Sequence, residues 1–324
     1  MFLSIIIPIY NVEKYVFNTL KSIYDQKFDE HDFEVICVND GTPDNSMQIV
    51  NEFANRHSNL HIVNQRNQGL SCARNAGLRI AKGDYIWFVD SDDTIACGSL
   101  YCLKNYLCGN PIVEIWGFDI VRVQESSGEE TIERIVLRNK DANLYTKSVN
   151  YHKLIHKTHV APVQRFVFKH DFLDRCNLSF RPGILHEDIE FMIRALFLAK
   201  NVVMINYSPY RYLVRTSGSI MSSINIRSVY SRLEIINSLL LYKRENVTNY
   251  SDKIYFNDNM FLQVLSILYL KKVQSSDYNK LIKENISLFR KLAFRGVIAN
   301  LYYWDIRKVL KGMIVMINPF LIMK

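Results

Sequence analysis

Glycine and proline are scarce in this chain, 12 and 7 of 324 residues, while 48% of residues are hydrophobic. That combination excludes extended disorder and implies a sizeable core. The six cysteines, Cys37, Cys72, Cys97, Cys102, Cys108 and Cys176, show no CxxC spacing. Neither a zinc site nor a disulfide framework is indicated, and reduced thiols of a cytoplasmic protein are the simplest reading. No apolar run reaches the roughly 18 residues that a membrane span needs. The start, Met1-Phe2-Leu3-Ser4-Ile5-Ile6-Ile7-Pro8, is apolar but lacks a basic leader and a small-residue cleavage site. It reads as a first strand, not as a signal peptide. The formal net charge of +8 is a moderate excess. Nucleotide phosphates or an anionic membrane surface account for it without nucleic acid as a partner.

What is present is an alternation. Strand patterns over Leu3–Ile9, Phe33–Val38, His61–Asn64 and Tyr85–Val89 are separated by helical patterns over Val12–Gln26, Asp44–Arg56 and Ser71–Ala81. This spacing predicts βαβ units, right-handed crossovers and a mainly parallel sheet. Ile112–Val123 and Thr131–Arg138 read as a hairpin added to that sheet, Ile189–Ala199 as a helix, and Val202–Asn206 and Tyr210–Val214 as two short strands. From Ile226 onward the pattern is helical, and the composition shifts near Ser222-Ser223.

Five segments fit one chemical task. Asp90-Ser91-Asp92-Asp93 follows the buried run Tyr85–Val89. Residues i and i+2 of an extended chain face one side, so Asp90 and Asp92 can share a site at the strand's carboxyl end, where open α/β sheets bind ligands. Clustered carboxylates suit Mg²⁺ or Mn²⁺, which would hold a diphosphate; an ordinary acidic surface turn is the alternative. At Pro8-Ile9-Tyr10-Asn11, Pro8 stops ladder pairing and frees the Tyr10 ring for a flat ligand. In Asn39-Asp40-Gly41-Thr42-Pro43-Asp44, Asp40 can accept from a base N–H, and Gly41 permits a tight turn. Gly69 and Ser71 open a helix whose amino end favours anions, and Arg74, one turn in, can reach base or phosphate. A solvated arginine on an amphipathic helix is the plainer reading. Glu187 and Asp188 sit at a helix start, where the dipole keeps a carboxylate ionised and able to accept a proton, or simply caps the helix. His186 reads as structural.

Together these residues resemble the inverting GT-A glycosyltransferases of glycosyltransferase family 2. Ser4-Ile5-Ile6-Ile7-Pro8-Ile9-Tyr10-Asn11 matches that family's first strand, Asn39–Asp44 its Asp-Asp-Gly-Ser-x-Asp segment, Asn67-Gln68-Gly69 through Gly77 its third segment, Asp90-Ser91-Asp92 its DxD motif and Glu187-Asp188 its ED motif. Asn39 and Thr42 stand where Asp and Ser are common. The resemblance is specific over residues 3–95, continues to about 220, and is compositional beyond.

The resemblance implies an α/β fold of GT-A (Rossmann-like) type, a mixed, mainly parallel sheet flanked by helices, with a C-terminal helical extension. Its domain would be 1–222 (1–95 for the nucleotide-sugar, 96–222 for the acceptor), and 223–324 the helical region. It implies a nucleotide-diphosphate sugar donor, UDP-linked by preference, and a saccharide or lipid-linked saccharide acceptor in cell-surface polysaccharide synthesis. Asp40 would contact the base, Pro8 and Tyr10 would line its pocket, Gly69 and Arg74 would belong to the donor site, and Asp90 would lie near ribose or sugar. Asp92, with Asp93, would ligate Mg²⁺ or Mn²⁺. Asp188 would deprotonate the acceptor hydroxyl, with Glu187 as the alternative base. Arg215, in the basic, Ser-rich stretch Tyr210–Met221, would meet the diphosphate.

The tail Leu310–Lys324 is very apolar with lysine at both ends. It implies either a helix packed on the domain or peripheral binding at the inner face of the cell membrane. A nucleotidyltransferase is disfavoured, because Asn11-Val12-Glu13 replaces the Gly-rich, Lys-containing phosphate loop after strand one. A non-catalytic nucleotide-sugar-binding protein is disfavoured by the intact Asp90, Asp92 and Asp188.

Overall fold

A computed structural model of the chain describes residues 1–134, 142–146, 162–216, 226–270, 276–302, 305–319 and 322. The chain forms two units: Met1–Lys147, Val160–Gly183 and Arg194–Ser217 make the first, and Ser148–His159, Ile184–Ile193 and Gly218–Lys324 the second.

The first unit carries the sheet. Its opening alternation is β1 (Leu3–Ile9), α1 (Val16–Tyr24), β2 (Phe33–Asn39), α2 (Ser46–Ala54), β3 (Leu60–Asn64), α3 (Leu70–Ile80) and β4 (Tyr85–Phe88). Then follow β5 (Thr94–Ile95), α4 (Ser99–Cys108), β6 (Ile115–Gln124), β7 (Glu130–Glu133), β8 (Ala142–Thr146), a 3-10 turn (Val163–Arg165), β9 (Phe166–Lys169), α5 (His170–Arg175), α6 (Glu187–Leu198) and β10 (Asn201–Val214). The strand order is β3-β2-β1-β4-β9-β6-β10-β5, with β7 beside β6 and β8 beside β10. β3, β2, β1 and β4 run parallel, as do β6 and β10, while β9 joins the two groups antiparallel to both β4 and β6.

Every residue of β1 and β4 is buried, as expected of central strands covered on both faces. α1 lays Val16, Leu20 and Ile23 onto that core, one residue per turn on a single face. α3 packs tightly on β1: a Cβ added at Gly77 would lie 2.4 Å from Ile6 Cγ2, so glycine lets the helix backbone sit there.

Three expectations are corrected. Pro8 does not stop ladder pairing; it is buried within β1, which spans Leu3–Ile9 as expected, and is in register with Val38 of β2. Ile6 O accepts from Val89 N and Ile9 O from Asp40 N, so alternate residues serve opposite neighbours. Pro8 shares the side of Ile6, where pairing with β4 stops at Ile6–Phe88, and its missing N–H costs no ladder bond. Second, Val202–Asn206 and Tyr210–Val214 are one strand, β10, whose register to β6 shifts between Ile205 and Tyr210. Ser208-Pro209 marks that irregularity, not a strand end. Third, β9 and α4 were not foreseen. The hairpin is present as β6 and β7, and residues 135–138 of its expected second strand lie outside the described residues. So does the composition shift at Ser222-Ser223.

The second unit is helical after its share of α6. It contains α7 (Ile226–Asn246), α8 (Tyr250–Tyr269), α9 (Ser276–Glu284), α10 (Ile286–Tyr302) and α11 (Ile306–Ile317). The Asn249 side chain caps α8 by accepting from Asp252 N, and Asp305 caps α11 by accepting from Lys308 N. Among the described residues, no helix is long and apolar enough to cross a membrane.

Candidate functional site

The acidic cluster hangs from the carboxyl end of β4. Val89 N still donates to Ile6 O at 3.0 Å, and then the chain turns, Asp93 N donating to Asp90 O at 3.2 Å. The turn, more than the strand's two-residue alternation, gathers the carboxylates: one oxygen each of Asp90, Asp92 and Asp93 lie within 4.8 Å of one another.

Each carboxylate has a counterpart placed by a distant part of the chain. Arg74, only 1% exposed on α3, donates from Nη2 to Asp90 Oδ1 at 2.8 Å and lies 5.3 Å from the Phe180 ring centroid. Gln164 Nε2 donates to the other Asp90 oxygen. Arg215, just past β10, donates from Nε to Asp92 Oδ2 at 2.6 Å and rests over the Tyr15 ring at 4.7 Å. Buried Tyr210 donates its hydroxyl proton to Asp93 Oδ2 at 2.6 Å while its oxygen accepts from Asp90 N at 3.1 Å. Leu213 N donates to Asp93 Oδ1 at 2.7 Å. Around Arg215, Glu125 takes the Tyr15 hydroxyl at 2.9 Å and both Thr216 N and its hydroxyl at 2.7 and 2.8 Å.

Three carboxylates thus face two guanidinium groups. Burial raises the Asp92 carboxyl above the usual range, the Asp90 charge adds to this, and Arg215 opposes it. Burial pushes Asp93 well above the ordinary value, and the Asp92 and Asp90 charges act in the same direction. Three clustered carboxylates are the all-oxygen donor set that a hard divalent cation takes, so Asp90, Asp92 and Asp93 could hold one.

A second cluster forms where β1 and β2 end beside the start of α3. Asp40 is 4% exposed. Its Oδ1 accepts from Gln65 Nε2 at 2.7 Å and Gln68 N at 2.8 Å, and its Oδ2 from Gly69 N at 2.9 Å. The carboxylate therefore holds the loop before α3 in place. Gly69 adopts φ 86 and ψ 167, a region open to glycine alone. Asn39 and Thr42, the two departures from the family pattern, keep the hydrogen bonding: Thr42 N donates to Asn39 Oδ1 at 3.0 Å, and the Thr42 hydroxyl accepts from Asn11 N at 2.8 Å while donating to Asp44 Oδ1 at 2.6 Å. Burial pushes the Asp44 carboxyl up, but the Ser46 and Thr42 hydroxyls outweigh it and hold it below its ordinary value. Tyr10 stands half exposed beyond β1.

Glu187 and Asp188 belong to the second unit, at the first turn of α6. Glu187 is buried, and Asp188 Oδ1 accepts from Ile189 N at 2.9 Å. Serines of α7 fasten this corner: Ser231 Oγ accepts from Leu185 N at 2.9 Å, Ser228 Oγ meets His186 Nε2 at 2.7 Å, and Ser238 Oγ donates to Glu190 at 2.8 Å. His186 has φ 60, a left-handed conformation. Burial, with Arg232 nearby, pushes its imidazole down to about 4. Arg232 is itself lowered by burial, against which the Asp188 charge acts.

The structure therefore brings Asp90, Asp92, Asp93, Arg74 and Arg215 together in the first unit, and Asp40 with Gly69 close by in the chain's fold. Gln164, Tyr210 and Tyr15 were missed. Tyr210 stood within a segment already singled out, but neither Gln164 nor Tyr15 carries a local signal.

The sequence profile of glycosyl transferase family 2 matches residues 4–174. The chain belongs to that family. It is 33% identical over 211 residues to the glycosyltransferase EpsJ of Bacillus subtilis (strain 168), covering 64% of this chain and 60% of EpsJ. It is 30% identical over 229 residues to a poly(ribitol-phosphate) beta-glucosyltransferase of Bacillus spizizenii, covering 68% of this chain and 34% of that one. The chain thus matches less than two thirds of the length of these relatives. Its fold is shared with residues 1–349 of S. aureus TarS, solved with UDP-GlcNAc, at a TM-score of 0.72 and 19% identity over 98% of this chain and 90% of that one. A mannosyltransferase of Pyrobaculum calidifontis, solved with GDP-Man and Mn²⁺, matches at 0.54 and 15% identity over 96% and 86%. The fold is GT-A, a mixed sheet flanked by helices with helices at its C-terminal end.

Proposed function

We propose that this chain transfers a sugar from a nucleotide-diphosphate donor, UDP-linked by preference, to an acceptor hydroxyl with inversion, in the synthesis of a cell-surface polysaccharide. The observation that carries this reading is the Asp90–Asp92–Asp93 cluster at the carboxyl edge of the sheet, with Arg74 and Arg215 already seated against it. Asp92 is the first-choice ligand for Mg²⁺ or Mn²⁺, because among the described residues the side chain engaging it, Arg215, is on Oδ2. Asp93 would join it through lone pairs left over by Tyr210 and Leu213. When bound, the ion would supply positive charge for the departing diphosphate.

Arg74 holds Asp90 toward the ribose or sugar, and Arg215 exchanges Asp92 for the diphosphate. Asp40, having fixed the loop before α3, keeps a lone pair on Oδ2 for the imide N–H of a uracil. Tyr10 would stack on that base above the β1 end, with Pro8 beneath it, and Gly69 leaves backbone room for the phosphates. Asp188 takes the acceptor proton, and Glu187 is its alternate. The acceptor is a saccharide or lipid-linked saccharide. Substituting Asp188 by Asn should lower turnover by about 10³-fold or more while leaving donor binding within a factor of two. Equal loss of donor binding would make Asp188 a structural residue.

The reading extends to a peripheral place on the cytoplasmic face of the membrane. Ile306, Leu310, Met313 and Ile317 recur at helical spacing along α11, and all are exposed, Ile317 by 70%. Phe294 and Leu301 are exposed on the neighbouring α10. Arg307 and Lys311 lie on the same helix, and a helix that joins an exposed apolar face with basic residues complements an anionic lipid surface. Flotation with anionic vesicles should be lost in the double variant Leu310→Asp, Ile317→Asp; undiminished flotation would rule this placement out.

A further inference from the structure

The second unit holds a cluster of the opposite sign to the acidic site. Lys243 and Arg244 near the end of α7, Lys253 on α8 and Arg295 on α10 line one groove of about 540 Å³. Leu240 and Val247 supply an apolar wall, and among the described residues no carboxylate lines it. Lys243 is half-buried and donates to the neutral Asn257 Oδ1. The charged groups that act on it are Arg295 and Lys253, both repelling. Burial first, and then these two cations, push its ammonium down to about 8. Among the described residues, no carboxylate comes within ion-pair distance of Lys243, Lys253 or Arg295, and Arg244 has only an exposed Glu245 at 3.9 Å. Several other inward cations do meet carboxylates: Arg74 meets Asp90, Arg165 meets Glu133, and Lys308 stands by Asp258 and Asp305, while Arg232 donates to the neutral Gln263 Oε1 at 2.6 Å.

Like charges brought together from three helices disfavour one another, and partial burial raises that cost. An anion with several oxygens relieves it. Arginines at two corners offer planar, bidentate donors, and lysines offer point charges, a combination suited to phosphate. The apolar wall adds room for the carbon chain that links phosphates. We propose that this groove binds a phosphate-bearing ligand, a phosphodiester of an acceptor polymer or of a lipid headgroup. The site is independent of the donor-site reading, since it shares no residue with it.

The test is calorimetric titration of the full chain with tripolyphosphate, in EDTA buffer so that metal-mediated binding is absent. Wild type should bind more tightly at pH 7 than at pH 9, as Lys243 gains its proton beside Arg295, Lys253, Arg244 and Asn257. The double variant Lys243→Gln, Arg295→Gln should weaken binding about tenfold or more, equivalent to one order in the dissociation constant. Lys243→Arg should restore the affinity of the single Lys243→Gln variant. A preserved thermal transition checks folding; where the double variant does not fold, exposed Lys253→Gln should weaken binding about threefold. Wild-type affinity in both Lys243→Gln, Arg295→Gln and Lys253→Gln overturns the proposal. Anionic vesicles then separate the sources: parallel loss of vesicle binding assigns a lipid headgroup, and intact vesicle binding with lost tripolyphosphate binding assigns a soluble phosphodiester.

Discussion

The two units handle crowded charge in opposite ways. In the first, three carboxylates at the end of β4 are met by Arg74 from α3, Gln164 from the 3-10 turn, and Tyr210 and Arg215 from β10 and the residue just past it. In the second, the charges of Arg295 and Lys253 act on Lys243, whose ammonium donates to the neutral amide of Asn257. A cluster nearly balanced by its own fold is ready for a ligand that completes it with one further charge. Among the described residues the second cluster has no carboxylate at ion-pair distance beyond Glu245, so an anionic ligand would complete it.

The sharpest way to break the balance of the first unit is Arg74→Ala. It removes a guanidinium that is almost wholly buried, strips Asp90 of its ion pair, and deletes the stack on Phe180. Chemical denaturation should show a loss of about 3–5 kcal/mol, the usual cost of breaking a buried pair by removing one partner. A loss near zero would mean that Asp90 is held by Gln164 alone.

A smaller effect probes the uncompensated side. His186 has its imidazole pushed down to about 4 by burial and by Arg232. The unfolded chain therefore takes up a proton near pH 6.5 that the folded chain refuses. The stability His186 allows is full above pH 6.5 and falls as pH drops toward 4, by about 3 kcal/mol in all. His186→Asn, which tolerates the left-handed backbone, should flatten the stability profile between those pH values. An unchanged slope would assign the acid sensitivity to another group.

The difference between the units also explains what was legible in the sequence. β1, β2 and β4 are apolar runs cut off by Asn, Asp and Gly, and their ends carry Tyr10, Asp40 and Asp90. Because a parallel sheet aligns its strand ends, reading three local motifs was enough to bring Asp40, the start of α3 and the acidic turn to one edge. The partners were not legible. Arg74 to Asp90 and Arg215 to Asp92 are contacts set by packing, and the sequence alone pointed both arginines at ligand. Pro8 was expected to stop ladder pairing because proline lacks a donor, but it sits where no ladder bond is asked of it, and the two short strands expected over Val202–Val214 are one strand whose register shifts near Pro209. β9 is four residues long, too short for a periodic signal. The basic groove gathers positions 243, 253 and 295 from three helices, and no local window contains such a pattern.

The most direct test of the account is thermal stabilisation by UDP- and GDP-sugars, with and without Mn²⁺, in wild type and Asp92→Ala. A ligand that binds only the native state raises the melting temperature by mass action. Mn²⁺-dependent stabilisation by a UDP-sugar is expected in wild type and none in Asp92→Ala, with the variant folded. Stabilisation that is absent from wild type, or that survives in Asp92→Ala, would contradict it.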